Sequence, residues 1–393
     1  MSTAPATGSA STRSKRIPLW DNARFACITL VVMGHGIQRL VGDSDAALTV
    51  YLVIYSFHMP AFAFISGYFS KSGAPSIRQM QRVITDIVLP YVFMESIWTA
   101  VKFFAEGDET LNPTKPSWTL WFLLALAIFR LVLPYLALVR WPLLWAVVLS
   151  VGVGYLDNVD STFSLARLFG ILPFFVLGWR VKKWDLFARL RLNEHIPWWV
   201  RTAALAIFAM WAACVWVFVD LWRDVGLRHW FFYDQSYDGL GQDAWWAGAV
   251  RLAVLLLNTV LIAAFIVLIP RHRNVFSGFG QATMYVYLLH SFALYPLRES
   301  GLLKHEALAD YLLPVMLGVS FLLAVALSTW PVRRFFRPLI EPKPHWIFTR
   351  DDRLPAGPSR TDPTGSRRPR TESVPTVAPH SGEEDAGSSE RPS

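Results

Sequence analysis

Charge is scarce in this sequence: Asp, Glu, Lys and Arg make up 17% of its 393 residues, against about 25% in ordinary soluble domains. Apolar residues fill the gap at 53%, more than the cores of two or three soluble domains could hide. Lipid accepts apolar surface on every side and removes that difficulty. Cysteine is nearly absent: Cys27 and Cys214 both fall in apolar segments, which excludes a disulfide framework. No cleavable signal peptide is evident, because the first apolar stretch lacks a small-residue cleavage site and polar residues interrupt it. Nor do Gly34-His35-Gly36 or His58-Met59-Pro60 recur as an internal repeat, the mark of a transporter built from two halves. The formal charge of +8 does not point to nucleic acid. The basic residues lie in short clusters between apolar runs, as determinants of membrane topology do.

These features predict an all-α fold, a polytopic transmembrane bundle of about ten helices. The expected spans are roughly 18–41, 48–70, 84–105, 118–137, 142–157, 164–180, 197–220, 247–269, 280–297 and 309–330. One set of loops is basic, with Lys71, Arg78 and Arg82, then Arg140, then Arg180 to Arg191, then Arg271 and Arg273, then Arg333 to Arg337. The alternate set is acidic: Asp43 and Asp45; Glu106, Asp108 and Glu109; Asp157 and Asp160. The positive-inside rule places the basic loops and both termini in the cytoplasm of a multi-pass cell-membrane protein. Residues 1–16 and 341–393 read as disordered cytoplasmic segments, poor in the apolar surface that offsets ordering entropy, and 17–340 as the membrane domain. The loop from about 221 to 246, rich in aromatics and Asp, could cap an outer vestibule, stack on sugar or lie in the interface.

Ionisable groups in hydrocarbon cost several kcal/mol, so those inside the spans are candidate functional residues. Arg24 and His35 are eleven residues apart, about 1100° of helical turn, and share a face ~16 Å apart along the axis. Asp21 projects within about 40° of that face. His58 lands at a depth comparable to His35, beside the helix-breaking Pro60. Glu95 sits in the middle of the third span, where a carboxylate needs a partner. His290 follows Tyr285 and Tyr287 at similar depth. Arg167 and Arg251 lie toward the outer ends of their spans, where snorkelling to the interface is the plain alternative. Together these residues suggest a polar cavity. A histidine hydrogen-bonded between helices is the bland reading of any one of them.

Asp21…Arg24…His35, Phe57-His58-Met59-Pro60…Ser66-Gly67-Tyr68, Arg82…Pro90-Tyr91, Trp121-Phe122-Leu123, Arg167…Leu172-Pro173-Phe174-Phe175…Gly178 and Tyr287-Leu288-Leu289-His290 occur in that order. In this the chain resembles the acyltransferase-3 family of integral-membrane O-acyltransferases, particularly its fucose O-acetylase-like branch, over roughly residues 17–335. The resemblance implies transfer of an acyl group, acetyl first, from cytoplasmic acetyl-CoA to a hydroxyl of a sugar or another envelope or secreted acceptor. No metal is implied. Arg24, Arg82 and Arg78 would then hold the donor phosphates, although the family's basic pair is commonly spaced more closely than Arg78 and Arg82. His35 would be the general base or a transient acyl carrier. Asp21, Glu95 and His58 would support it, and Arg167, Arg251 and His290 would face the acceptor. No hydrolase-like outer domain, found in some members, is expected after the membrane region. A proton-coupled secondary transporter using the same His and Glu residues as a relay is the alternative.

Overall fold

The computed structural model describes residues 17–348, apart from 108–110, 158, 160–161, 191, 193–195, 243, 305–307 and 343–346. The segment 1–16 and the chain beyond 348, expected to be disordered, lie outside the described residues, as do the acidic-loop residues Asp108, Glu109 and Asp160. Among the described residues there is no strand. The helices are α1 (Pro18–Ile37), α2 (Asp45–Tyr55), α3 (His58–Phe69), α4 (Ile77–Val83), α5 (Leu89–Glu106), α6 (Trp121–Leu136), α7 (Pro142–Gly152) and α8 (Leu165–Lys183). They continue as α9 (Leu186–Arg189), α10 (Trp198–Val217), α11 (Val219–Asp224), α12 (Leu227–Phe232), α13 (Ala247–Leu268), α14 (Thr283–Glu299), α15 (Ala309–Leu327) and α16 (Trp330–Ile340). Every expected span meets one of these helices or a pair of them, so the all-α bundle read from the sequence is the architecture found. Six stretches among the described residues are long and apolar enough to cross a bilayer. This is the build of a multi-pass membrane protein, with Lys71, Arg82, Lys182 and Arg333 gathered at one end of the bundle around the start of α1.

Proline shapes the helices that carry the site. Pro18 opens α1, where a missing amide hydrogen costs nothing. The chain breaks at Ser56–Phe57, and Pro60 is accommodated in the first turn of α3. Ahead of Pro90, the wide π-type turn Ile84–Val88 makes room for the ring between α4 and α5. α1 lies at the centre, packed against α2, α3, α14, α15 and the 3₁₀ segment Val275–Gln281. Asn22 ties it there: its amide donates to the carbonyls of Pro270 (2.9 Å) and His272 (3.1 Å), and its oxygen accepts from Ser277 (2.6 Å).

Two features went beyond the expected spans. The backbones of α3 and α8 meet closely enough that a Cβ on Gly67 would lie 1.9 Å from the Phe175 carbonyl oxygen, and one on Gly178 2.0 Å from that of Phe64. Small residues bring membrane helices together in this way. The approach to α6 was expected as helix from residue 118 but is an extended loop turned back into the bundle. Tyr91 donates to the Pro113 carbonyl (2.5 Å), and the Phe163 amide donates to Thr114 (2.6 Å). Non-helical backbone is tolerated at this depth because protein groups satisfy it.

Candidate active site

At the basic end the first turns of α1 open onto a cleft of about 880 Å³, where Asp21, Arg24, Lys182 and Arg333 face apolar walls of Phe62, Phe122 and Tyr287. Asp21 holds Arg24 at 3.5 Å, one turn apart, and the guanidinium lies 4.4 Å from the centre of the Phe69 ring. Lys182 rests over the same aromatic wall, 5.5 Å from Tyr68 and 5.7 Å from Phe69. A second lobe of about 490 Å³ joins Arg24 to Lys71, Arg82 and Arg130. A third, about 760 Å³, joins Arg82 to Arg78. Arg24 and Arg82 therefore share a space that Arg78 does not line. The lobes fall in the size range of cofactor pockets, and their cations suit phosphate groups.

Deeper along the same face of α1 lies a separate chamber of about 140 Å³, lined by His35, Tyr55, His58, Trp118, Arg167 and Tyr287 among others. The His35 ring stands 5.4 Å from that of His290, 5.5 Å from Trp118 and 6.3 Å from Tyr55, while Tyr55 reaches His58 at 4.7 Å. His58 Nδ1 sits 2.9 Å from the Ile54 carbonyl, which the break between α2 and α3 exposes, and His290 Nδ1 sits 3.0 Å from that of Val286. A ring nitrogen facing a carbonyl must be the protonated one, which leaves the lone pair of each neutral imidazole on Nε2. His290 Nε2 and His35 Nδ1 are buried without a hydrogen-bond partner among the described residues. An imidazole with an unused nitrogen, His35, therefore lines the chamber, where an acceptor hydroxyl can bond to it, and the buried His290 ring stands behind it.

The far end of the chamber is closed by the last turn of α12 and the residues that follow it. Phe231, Phe232, Tyr233 and Asp234 line it, and Asp234 locks onto Arg167 at 2.7 Å. Tyr287 lines both chamber and cleft, its hydroxyl donating to the Thr119 carbonyl, so it stands in the wall between them.

The predicted residues thus separate into groups. Asp21, Arg24 and Arg82 share the inner cleft, with Arg78 at its margin. His35, His58 and Arg167 line the chamber, with His290 against His35. Glu95 does not reach the imidazoles. Its carboxylate accepts from the amide (2.9 Å) and hydroxyl (2.7 Å) of Ser117 and so fixes the loop that presents Trp118. Arg251 is not at the chamber either. It is 3% exposed, with its guanidinium 4.6 Å from Tyr233, 5.6 Å from Tyr237 and 5.7 Å from Trp230. A cation caged by aromatic rings holds the capping segment from behind. The sequence alone does not mark Trp118, Lys182, Arg333 and Asp234 as site residues, because their partners are far away in the chain. Asp234, for one, is 67 residues from Arg167. Among the described residues no group of three or more His, Cys, Asp or Glu is arranged to hold a metal ion.

Comparison with known proteins gives a consistent picture. A family model described as an acyltransferase domain matches residues 17–333. Nodulation protein NolL of Sinorhizobium fredii is 28% identical over 224 residues, covering 52% of this chain and 57% of that protein. Nodulation protein NolL of Mesorhizobium japonicum is 29% identical over 209 residues, covering 48% and 54%. The chain thus spans little more than half the length of these curated relatives. No solved structure matches it.

Proposed function

The chain belongs to the acyltransferase family whose domain model covers residues 17–333, and from that membership we propose a membrane O-acyltransferase working between two chambers. The donor in this reading is acetyl-CoA, taken from the cytoplasm, and the acceptor is a hydroxyl of a sugar or other envelope or secreted molecule. The positive-inside rule puts the basic end, and with it both termini, in the cytoplasm. Arg24 and Arg82, with Arg78, Lys182 and Arg333 around them, hold the donor phosphates through charge-assisted hydrogen bonds. Asp21 orients Arg24. The pantetheine arm runs along α1, and the ~16 Å of helix between Arg24 and His35 matches a long, narrow reach.

At the chamber the acceptor hydroxyl gives its proton to His35 as its oxygen attacks the thioester carbonyl. A carbon–oxygen bond forms, the carbon–sulfur bond breaks, and the proton passes on to the departing sulfur. An imidazole suits this work because its neutral ring offers a lone pair that can take up a proton and hand it on. His290 and His58 offer further lone pairs to the acceptor or to the proton, and Arg167 faces the acceptor under its Asp234 cap. Glu95 and Arg251 act through Trp118 and Tyr233. The observation that carries the reading is that one face of α1 opens to the basic cleft at Arg24 and to the histidine chamber at His35.

The decisive experiment measures melting in detergent, coenzyme A binding and acetyl transfer on one preparation of His35→Ala. Loss of a general base should cost about 10²- to 10⁴-fold in transfer, with melting and donor binding kept. Transfer near half of wild type would end the proposal. Histidine-dependent proton movement with no acetylated product would favour a transporter instead.

A further inference from the structure

Beyond the chamber, a separate cavity of about 240 Å³ is lined by Gln38, Arg39, Tyr51, Arg228, Phe232 and Arg298 among others, with His229 beside them. Gln38, Tyr51 and Phe232 also line the histidine chamber, so the two spaces share walls. The positive charge here is under-neutralised. Arg39 meets Glu299 at 3.0 Å and Arg298 meets the same carboxylate at 3.4 Å. Arg228 donates to His229 (3.1 Å) and makes no ion pair with a carboxylate among the described residues. Three guanidiniums thus share one directly paired acid, Glu299, with Glu106 acting on Arg298 and Asp234 on His229 from farther off. Burial first, and then Arg228, hold the His229 imidazole below its usual range against the opposing pull of Asp234. The cluster also lies close to the reacting centre: the Arg298 guanidinium stands 4.7 Å from the Trp118 ring, which touches His35. Arg39 lies two residues past the end of α1 in still-helical backbone, so it stands about one turn, roughly 6 Å, along the axis from His35.

Resting on the acyltransferase reading, we propose that this cavity is an oxyanion subsite for the acceptor. It takes a phosphate or carboxylate carried by the acylated sugar itself or by its immediate neighbour. Guanidinium forks are suited to such groups. The donor phosphates bind at the opposite end of the bundle, so the two anion sites do not compete. The short distance to His35 limits the separation between anion and reacting hydroxyl to about the width of one sugar.

The test is binding to the detergent-solubilised full chain with coenzyme A at saturation, so that the inner cleft is filled. The probes are glucose 1-phosphate and methyl glucuronide, with methyl glucoside as the uncharged control. At least one charged probe should bind about tenfold or more tighter than the control, by the worth of a charge-assisted contact. Arg228→Gln, at an exposed position, and Arg39→Gln should each weaken that probe roughly 10- to 100-fold and leave coenzyme A binding unchanged. Preference for one charged probe names the anion. Equal binding of all three probes, or charged-probe binding unaffected by both variants, overturns the subsite. So does complete displacement of the probe by phosphatidylglycerol micelles, which would make the cavity a lipid headgroup site. Loss of coenzyme A binding in wild type would strike the donor assignment instead, and transfer activity is not needed for the readout.

Discussion

Glu95 offers the sharpest test of how the chamber is held. Its carboxylate receives two hydrogen bonds from Ser117, and the next residue, Trp118, packs against His35. Trp118 also adopts the left-handed backbone region at φ 37°, so its position depends on its neighbours being fixed. Hydrogen bonds to a charged group contribute about 1.5–3 kcal/mol each, and Glu95→Ala removes two, roughly 3–6 kcal/mol. Glu95→Gln keeps an oxygen for the Ser117 amide and turns a nitrogen to its hydroxyl, which can accept. That exchange should cost only about 1–2 kcal/mol, because it also removes a buried charge. A loosened Trp118 that shifts the imidazole by ~1 Å would lower turnover about 10²-fold in the Ala variant. The Gln variant should stay within about tenfold of wild type, and donor affinity should hold in both. Turnover, coenzyme A titration and detergent melting, run on the three proteins together, decide the matter. A Gln variant as inactive as Ala at unchanged melting would mean that the carboxylate carries a proton, and the positioning role would be wrong.

Other expectations follow from the same geometry. Arg24→Ala should weaken apparent acetyl-CoA affinity by about 10- to 150-fold, with Arg82→Ala milder, and unchanged donor dependence in folded protein would remove Arg24 from the donor site. Gly67→Ala places a methyl carbon against backbone 1.9 Å away, so the protein should fail to accumulate in the membrane, and normal yield and melting would show that α3 and α8 can separate cheaply. Reporter fusions after Lys183 and after Arg337 should read cytoplasmic and one at Asp234 extracytoplasmic; a cytoplasmic Asp234 would reverse the inner and outer assignments.

The spans were legible because lipid demands long apolar runs, and their polar interruptions announced a cavity. Depth can be counted along each helix, and the count puts His35, His58 and His290 at similar levels. Azimuth around neighbouring helices cannot be counted in that way, so the sequence puts His290 on the acceptor side and gives no sign of its contact with His35. Arg251 shows a different limit. An arginine near a helix end reads as snorkelling, and only the return of Trp230, Tyr233 and Tyr237 over it makes an aromatic cage. The segment around Pro113 reads as a surface loop, since its descent depends on Tyr91 and Glu95, some twenty residues earlier.

The wall at Tyr287 has a consequence for the cell rather than for the reaction. Two polar spaces toward opposite ends of a membrane bundle would, if joined, make a leak through which protons and small ions could discharge the membrane potential. A phenol pinned to the Thr119 carbonyl, with Phe122 packed 6.3 Å away, is a thin seal, yet apolar rings at a constriction repel ions by dewetting. A donor arm threaded past that ring would itself fill the breach it opens. Insulation would then be kept at every stage of turnover, and a small residue at position 287 should make the membrane permeable even in protein that no longer turns over.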